Sequence, residues 1–304
     1  MNSQNKIKGT GVALVTPFNN NEIDFEALER IIEYVIAGDV DYVVSLGTTG
    51  EAVTLTMEEC MEVKEFTVKI VKERVPVIYG LFGGSFTARI TERLKQYNLD
   101  GITALLSSSP NYIKPTQEGI YQHYRTISQA SPLPMILYNV PSRTASNISA
   151  DTVARISHDC PNIIGIKEAS GDMYQGSCIK AGSRSDFVLL SGDDLTTLPL
   201  IACGGEGVIS VISNAFPRTF SRMVSSARQN NFEEAIKLHQ KLLKMYQWIF
   251  VEGNPAGIKY VLSKIGLCTP EVRIPLMALT TKTAEAMEQD LSAAIKFEQE
   301  LIFD

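Results

Sequence analysis

The sequence predicts an α/β protein, a (β/α)8 barrel with a C-terminal helical appendage. Short apolar runs of strand length alternate strictly with amphipathic helical stretches, eight units in all, and such alternation implies a parallel sheet whose eight strands can close as a TIM barrel. Several of the runs end in Gly, Pro, Ser, Thr or Asp clusters, as expected where the loops of a barrel gather. Beyond about Asn230 the strand signal stops, so residues 1–229 are assigned to the barrel and 230–304 to the helical region. A doubly wound sheet would place a glycine-rich fingerprint after its first strand, where this chain has Thr16-Pro17-Phe18.

In order, the strand Gly11–Val15 runs into Thr16-Pro17 and precedes the helix Phe25–Ala37. Asp41–Leu46 ends on Gly47-Thr48-Thr49-Gly50 before Met57–Lys72. Val75–Tyr79 leads to Gly83-Gly84 and Thr87–Tyr97, and Gly101–Leu105 to Ser108-Ser109-Pro110 and Gln117–Gln129. Met135–Tyr138 meets Pro141-Ser142 ahead of Ala150–Ile156, and Ile163–Lys167 meets Gly171-Asp172 ahead of Tyr174–Ala181. Phe187–Leu190 gives way to Gly192-Asp193-Asp194 and Leu195–Ala202, and Gly207–Ile209 is followed by Phe216–Arg228. The appendage reads as Phe232–Trp248, Pro255–Ile265 and Ala284–Leu301, with Pro255 suited to a first helical turn.

Composition excludes several classes. With 304 residues, 44% hydrophobic and 20% charged, the chain has ordinary globular make-up, and a net charge of -6 argues against a nucleic-acid surface. The first residues hold no apolar leader core, and no run of apolar residues is long enough for a membrane span. Cys60, Cys160, Cys178, Cys203 and Cys268 are odd in number and without metal-site spacing, which fits free thiols and a cytoplasmic protein. His123, His158 and His239 all fall in helical stretches rather than at strand ends, so no metal site is expected. Asp193-Asp194 could bind a cation, but an aspartate before a helix is more often a cap.

The chemistry is expected at Lys167, which closes the buried-strand pattern Ile163-Ile164-Gly165-Ile166-Lys167. Loss of hydration there disfavours the charged form, and a neutral amine can attack a ketone to form a Schiff base. A surface lysine, or one paired with Glu168, is the plainer alternative. Tyr138 ends the adjacent strand, where its hydroxyl would lie beside the amine; Arg143 follows at the mouth, where a guanidinium could grip a carboxylate. In Gly47-Thr48-Thr49-Gly50 two hydroxyls and exposed amides could hold a carboxylate and relay a proton, although a turn capping the next helix would look the same.

Together these segments resemble the pyruvate-dependent class I aldolase family of (β/α)8 lyases, from Val15-Thr16-Pro17 through Gly253-Asn254-Pro255 to Arg273-Ile274-Pro275-Leu276. The resemblance is to the members that condense pyruvate with aspartate semialdehyde in lysine and diaminopimelate biosynthesis. It implies that Lys167 forms the imine, with Tyr138 as acid/base and its proton passed through Thr48 to Tyr112 of a neighbouring subunit. It further implies Thr49 on the pyruvate carboxylate, Arg143 on the semialdehyde carboxylate, and the backbone of Gly192 and Ile209 lining the pocket. No cofactor or metal is implied, and the partners would be the two substrates and further copies of the chain in a homotetramer built from dimers. Lysine-inhibited members carry a tyrosine, two histidines and a glutamate where this chain has Asn111, Met57, Cys60 and Arg89, which implies insensitivity to lysine. A sugar-acid lyase shares the lysine and tyrosine but has less use for Arg143; a keto-acid-binding barrel without activity is the other alternative.

Overall fold

Eight parallel strands close into a barrel in a computed structural model that describes residues 3–81 and 84–301. Gly83 of the predicted Gly83-Gly84 turn lies outside the described residues. The strands are β1 (Gly9–Ala13), β2 (Tyr42–Ser45), β3 (Val77–Gly80), β4 (Ala104–Ser108), β5 (Met135–Asn139), β6 (Ile163–Glu168), β7 (Val188–Ser191) and β8 (Gly207–Ser210). Each pairs with the next, and β1 pairs with both β2 and β8. At that seam the backbones approach so closely that a Cβ on Gly207 would lie 2.2 Å from Gly9 O. Gly207 also has a positive φ of 157°, so only glycine fits without strain.

Alternation along the strands divides the core into two parts. Tyr42, Val44, Ile78, Leu106, Ile136, Tyr138, Leu190 and Ile209 belong to the cluster inside the barrel. The opposite faces pack beneath the helices α1 (Phe25–Ile36), α2 (Met57–Val71), α3 (Thr87–Gln96), α4 (Gln117–Ala130), α5 (Ala150–Asp159), α6 (Met173–Gly182), α7 (Thr197–Ala202) and α8 (Pro217–Arg228). Among the described residues no helix is long and apolar enough to cross a membrane.

The predicted strand Gly101–Leu105 begins three residues late, at Ala104. Gly101 has φ of 75° and belongs to a turn in which Ile102 N donates to Leu99 O at 3.1 Å. The first strand starts at Gly9, ahead of the predicted Gly11, because the Gly9–Gly207 contact lies on the seam. The hairpin Phe18–Asn19 with Glu22–Ile23 lies outside the strands that the apolar pattern predicts, although Asn20 and Asn21, both at positive φ, are residues that such turns favour. The expected Pro141-Ser142 turn is a one-turn helix, Pro141–Thr144, with proline in its first turn.

The C-terminal region folds as α9 (Phe232–Trp248), α10 (Ala256–Lys264) and α11 (Thr281–Glu300), and one hydrophobic cluster runs from the barrel helices through Leu242, Val261 and Leu291. Two buried polar contacts fasten it. The N-cap residue of α8, Phe216, offers no side-chain acceptor; instead Glu298 of α11 accepts from Arg218 N at 2.8 Å, from Thr219 N at 3.0 Å, and from the Thr219 hydroxyl. Lys259 of α10 is paired with Glu51, both side chains 0% exposed, and donates to Glu271 O at 2.8 Å. The other Glu51 oxygen accepts from Arg273 N at 3.1 Å. Lys259→Met leaves a buried, unpaired carboxylate and is expected to cost about 3–5 kcal/mol in urea unfolding. The double variant Glu51→Gln/Lys259→Met should recover most of that loss, and a parent-like midpoint for the single variant would contradict this account.

Candidate active site

The strand register brings Tyr138 and Lys167 together. They are direct partners on β5 and β6, one residue short of the strand ends, and each is 5% exposed. Lys167 Nζ lies 4.5 Å from the centroid of the Tyr138 ring. Glu168, on the opposite face of β6, is not its partner: that carboxylate accepts from Asn139 Nδ2, Ser170 N and Gln175 Nε2. Among the described residues no carboxylate pairs with Lys167. The other two buried lysines are occupied, Lys259 by Glu51 and Lys64 by Asn98 O at 2.6 Å. Lys167 is thus a buried amine without an anionic partner, which suits a nucleophile better than a structural cation.

Gly192 makes room for it. The residue follows β7, its N–H donates to Glu168 O at 2.7 Å, and a Cβ there would lie 3.0 Å from Lys167 Cγ, 3.1 Å from Lys167 Cε and 2.5 Å from Ala169 Cβ. Ile209 of β8, 0% exposed, belongs to the interior cluster with Tyr138 and Leu190.

Thr48 and Thr49 occupy a turn beyond β2 closed by Gly50 N to Gly47 O and Glu51 N to Thr48 O, both 3.1 Å. They do not cap α2; that task falls to Thr56, in a capping box with Glu59. Thr48 is half-buried. Thr49 is buried, and its Oγ1 accepts from Asn254 Nδ2 at 3.0 Å. Asn254 reaches this turn from the appendage, 205 residues away in sequence, and neither periodicity nor composition pointed to the contact.

Arg143 stands exposed on the one-turn helix beyond β5, with no carboxylate partner among the described residues. The single chain does not bring Tyr112 into the cluster: its N–H donates to Thr144 O at 3.2 Å, but its ring is 91% exposed. Phe86, Ile113 and Val53 are exposed as well. Asn111 is tied within the chain, its carbonyl accepting from Ser85 Oγ at 2.7 Å, and Met57 Sδ lies 3.4 Å from the Tyr97 hydroxyl.

The aspartates after β7 serve the backbone. Asp193 accepts from Thr196 N at 2.8 Å, and Asp194 accepts from Ile212 N at 2.9 Å and Val211 N at 3.2 Å, its carboxyl pushed up to about 6 by burial. Among the described residues no group of three or more His, Cys, Asp or Glu is placed to hold a metal ion.

Gly192→Ala tests the packing of the amine. The added methyl must push Ala169 aside and shift the Lys167 stem by a few tenths of an ångström, and a misplaced reacting group lowers the rate. Borohydride trapping of a small α-keto acid on Lys167 should slow accordingly; an unchanged rate would show that the stem has slack.

Comparison with known proteins covers most of the chain. Residues 6–294 match the model of the dihydrodipicolinate synthetase family. The 4-hydroxy-tetrahydrodipicolinate synthase of Flavobacterium psychrophilum is 46% identical over 281 residues, covering 92% of this chain and 96% of that protein. Among solved structures, a monomeric dihydrodipicolinate synthase variant superposes with a TM-score of 0.92 at 38% identity, covering 96% of this chain and 98% of its own. The chloride-inhibited dihydrodipicolinate synthase of Acinetobacter baumannii complexed with pyruvate has a TM-score of 0.91 at 37% identity, covering 95% and 99%. With kinship spanning the barrel and most of its appendage, the chain belongs to the dihydrodipicolinate synthetase family.

Proposed function

We propose that the chain is a Schiff-base-forming lyase that condenses pyruvate with L-aspartate 4-semialdehyde to 4-hydroxy-tetrahydrodipicolinate, a step of lysine and diaminopimelate biosynthesis. The observation that carries this reading is Lys167, a buried amine beside Tyr138 at the barrel mouth with no carboxylate partner among the described residues. The full-length relative named 4-hydroxy-tetrahydrodipicolinate synthase and the related structure complexed with pyruvate support it.

In this mechanism the Lys167 amine attacks the keto carbon of pyruvate and water leaves, giving an iminium. Tyr138 moves the protons, passing them through Thr48 to Tyr112 of a neighbouring copy. Thr49 and the adjacent backbone hold the pyruvate carboxylate, with Gly192 and Ile209 forming the wall. The iminium withdraws electrons, so the methyl carbon loses a proton and becomes an enamine carbon that attacks the aldehyde. Arg143 binds the carboxylate of the semialdehyde, whose own amine then attacks the imine carbon, closes the ring and releases Lys167. The shared site needs a second copy over the exposed face of Tyr112 and Ile113, which supports a paired dimer; in the proposed assembly two such dimers form a homotetramer.

Pyruvate with borohydride should add one reduced pyruvyl group at Lys167, and Lys167→Ala should abolish it; labelling of a different lysine would refute the mechanism. Arg143→Ala should leave that trapping intact while lowering kcat/KM for aspartate semialdehyde about a hundredfold, the scale of one charge-assisted bidentate contact. Unchanged kinetics would remove Arg143 as a reason to prefer the semialdehyde over a sugar-derived aldehyde.

A further inference from the structure

The residues that follow Tyr138 and Lys167 form a buried polar cluster that the proposed chemistry does not use. Asn139 and Glu168 are register partners on β5 and β6, 0% and 3% exposed, and alternation turns them away from the barrel interior. Asn139 Nδ2 donates to both Glu168 oxygens, at 2.9 and 3.2 Å, and to Asn147 Oδ1 at 2.8 Å; Asn139 Oδ1 accepts from Ile148 N at 3.0 Å. Glu168 also accepts from Ser170 N at 2.7 Å and Gln175 Nε2 at 3.0 Å, while Gln175 and Asn147 bond each other at 2.8 and 3.2 Å. A carboxylate this deep is costly to dehydrate, and here fixed donors replace its water.

The ladder below explains what the cluster does. Met135 opposes Ile163 but Ile136 opposes Gly165, so β6 carries one extra residue before the site. Above such an irregularity a slip of one residue would turn every side chain to the other face. The Asn139–Glu168 contact is specific to the register in which Tyr138 opposes Lys167. Through Asn147 and Ile148 the same cluster ties down the far end of the loop that carries Arg143.

We propose that Asn139 and Glu168 are positioning residues whose amide–carboxylate contact locks the register of β5 and β6 beyond the bulge. The lock holds the Tyr138 hydroxyl, the Lys167 amine and the Arg143 turn in one working geometry. This proposal rests on the Schiff-base reading of Lys167.

The test reverses the polarity of the contact. Asn139→Asp sets two carboxylates against each other, Glu168→Gln removes the charge, and Asn139→Asp/Glu168→Gln restores one donor against one acceptor. The readouts are the borohydride trapping rate of pyruvate at Lys167, kcat and KM for both substrates, and the thermal midpoint. Each single variant should lose about ten- to a hundredfold in trapping and kcat, the scale of a displacement near 1 Å, and KM for the semialdehyde should rise. The double variant should regain at least about tenfold over Asn139→Asp, as coupled neighbours do. If Asn139→Asp does not fold, the double variant must exceed Glu168→Gln in trapping rate. Parent-level trapping and kcat in Glu168→Gln, additive losses in the double variant, or losses that vanish per folded molecule would each overturn the proposal. A parent that traps no pyruvate on Lys167 would instead overturn the Schiff-base reading, which keeps the two failures apart.

Discussion

Closure of the eight-stranded parallel sheet is the constraint on which the rest depends. Because β1 pairs with both β2 and β8, the barrel sheet has no open edge, and all eight C-terminal ends emerge on one side. Segments far apart in sequence are thereby delivered to one mouth: the Thr48-Thr49 turn, the Arg143 helix, the Lys167 strand end and Gly192. Closure is tight enough that the seam admits no side chain between Gly9 and Gly207.

Within that frame the three buried lysines show how the protein separates structure from chemistry. Burying an ammonium is costly unless it is paired or hydrogen-bonded. Lys259 meets this requirement with Glu51 and Glu271 O, and Lys64 with Asn98 O. Lys167 has an aromatic ring 4.5 Å away, and Glu168, beside it in the chain, is turned to the opposite face and engaged by other donors. The strand geometry that joins Lys167 to Tyr138 also keeps the adjacent carboxylate away from the amine.

The appendage is part of the same device. Lys259, Asn254 and Arg273 converge on the segment that begins with Thr48-Thr49, the first by a buried ion pair and the second through the Thr49 hydroxyl. Glu298 caps a barrel helix whose own N-cap residue offers no side-chain acceptor. Helices outside the barrel therefore fix a loop at its mouth, and the core runs unbroken between the two regions.

Local sequence determined the elements and their order. Strand runs such as Met135–Tyr138 and Ile163–Lys167, and the helix Phe232–Trp248, are legible because apolar periodicity is a property of neighbours in the chain, and Lys167 stood out because a charged residue ended an apolar run. Boundaries differ where a distant contact or a turn decides them: Gly9 begins β1 because Gly207 lies across the seam, and Gly101 forms a turn where the apolar pattern predicts a strand. The site followed the same division. Residue types at strand ends were readable, but the contact of Asn254 with Thr49, the room that Gly192 leaves for Lys167, and the turning of Glu168 toward Asn139 each depend on partners from other strands or from the appendage. Only tertiary structure decides these, because hydrogen bonds and van der Waals exclusion act over a few ångströms of space, whatever the separation along the chain.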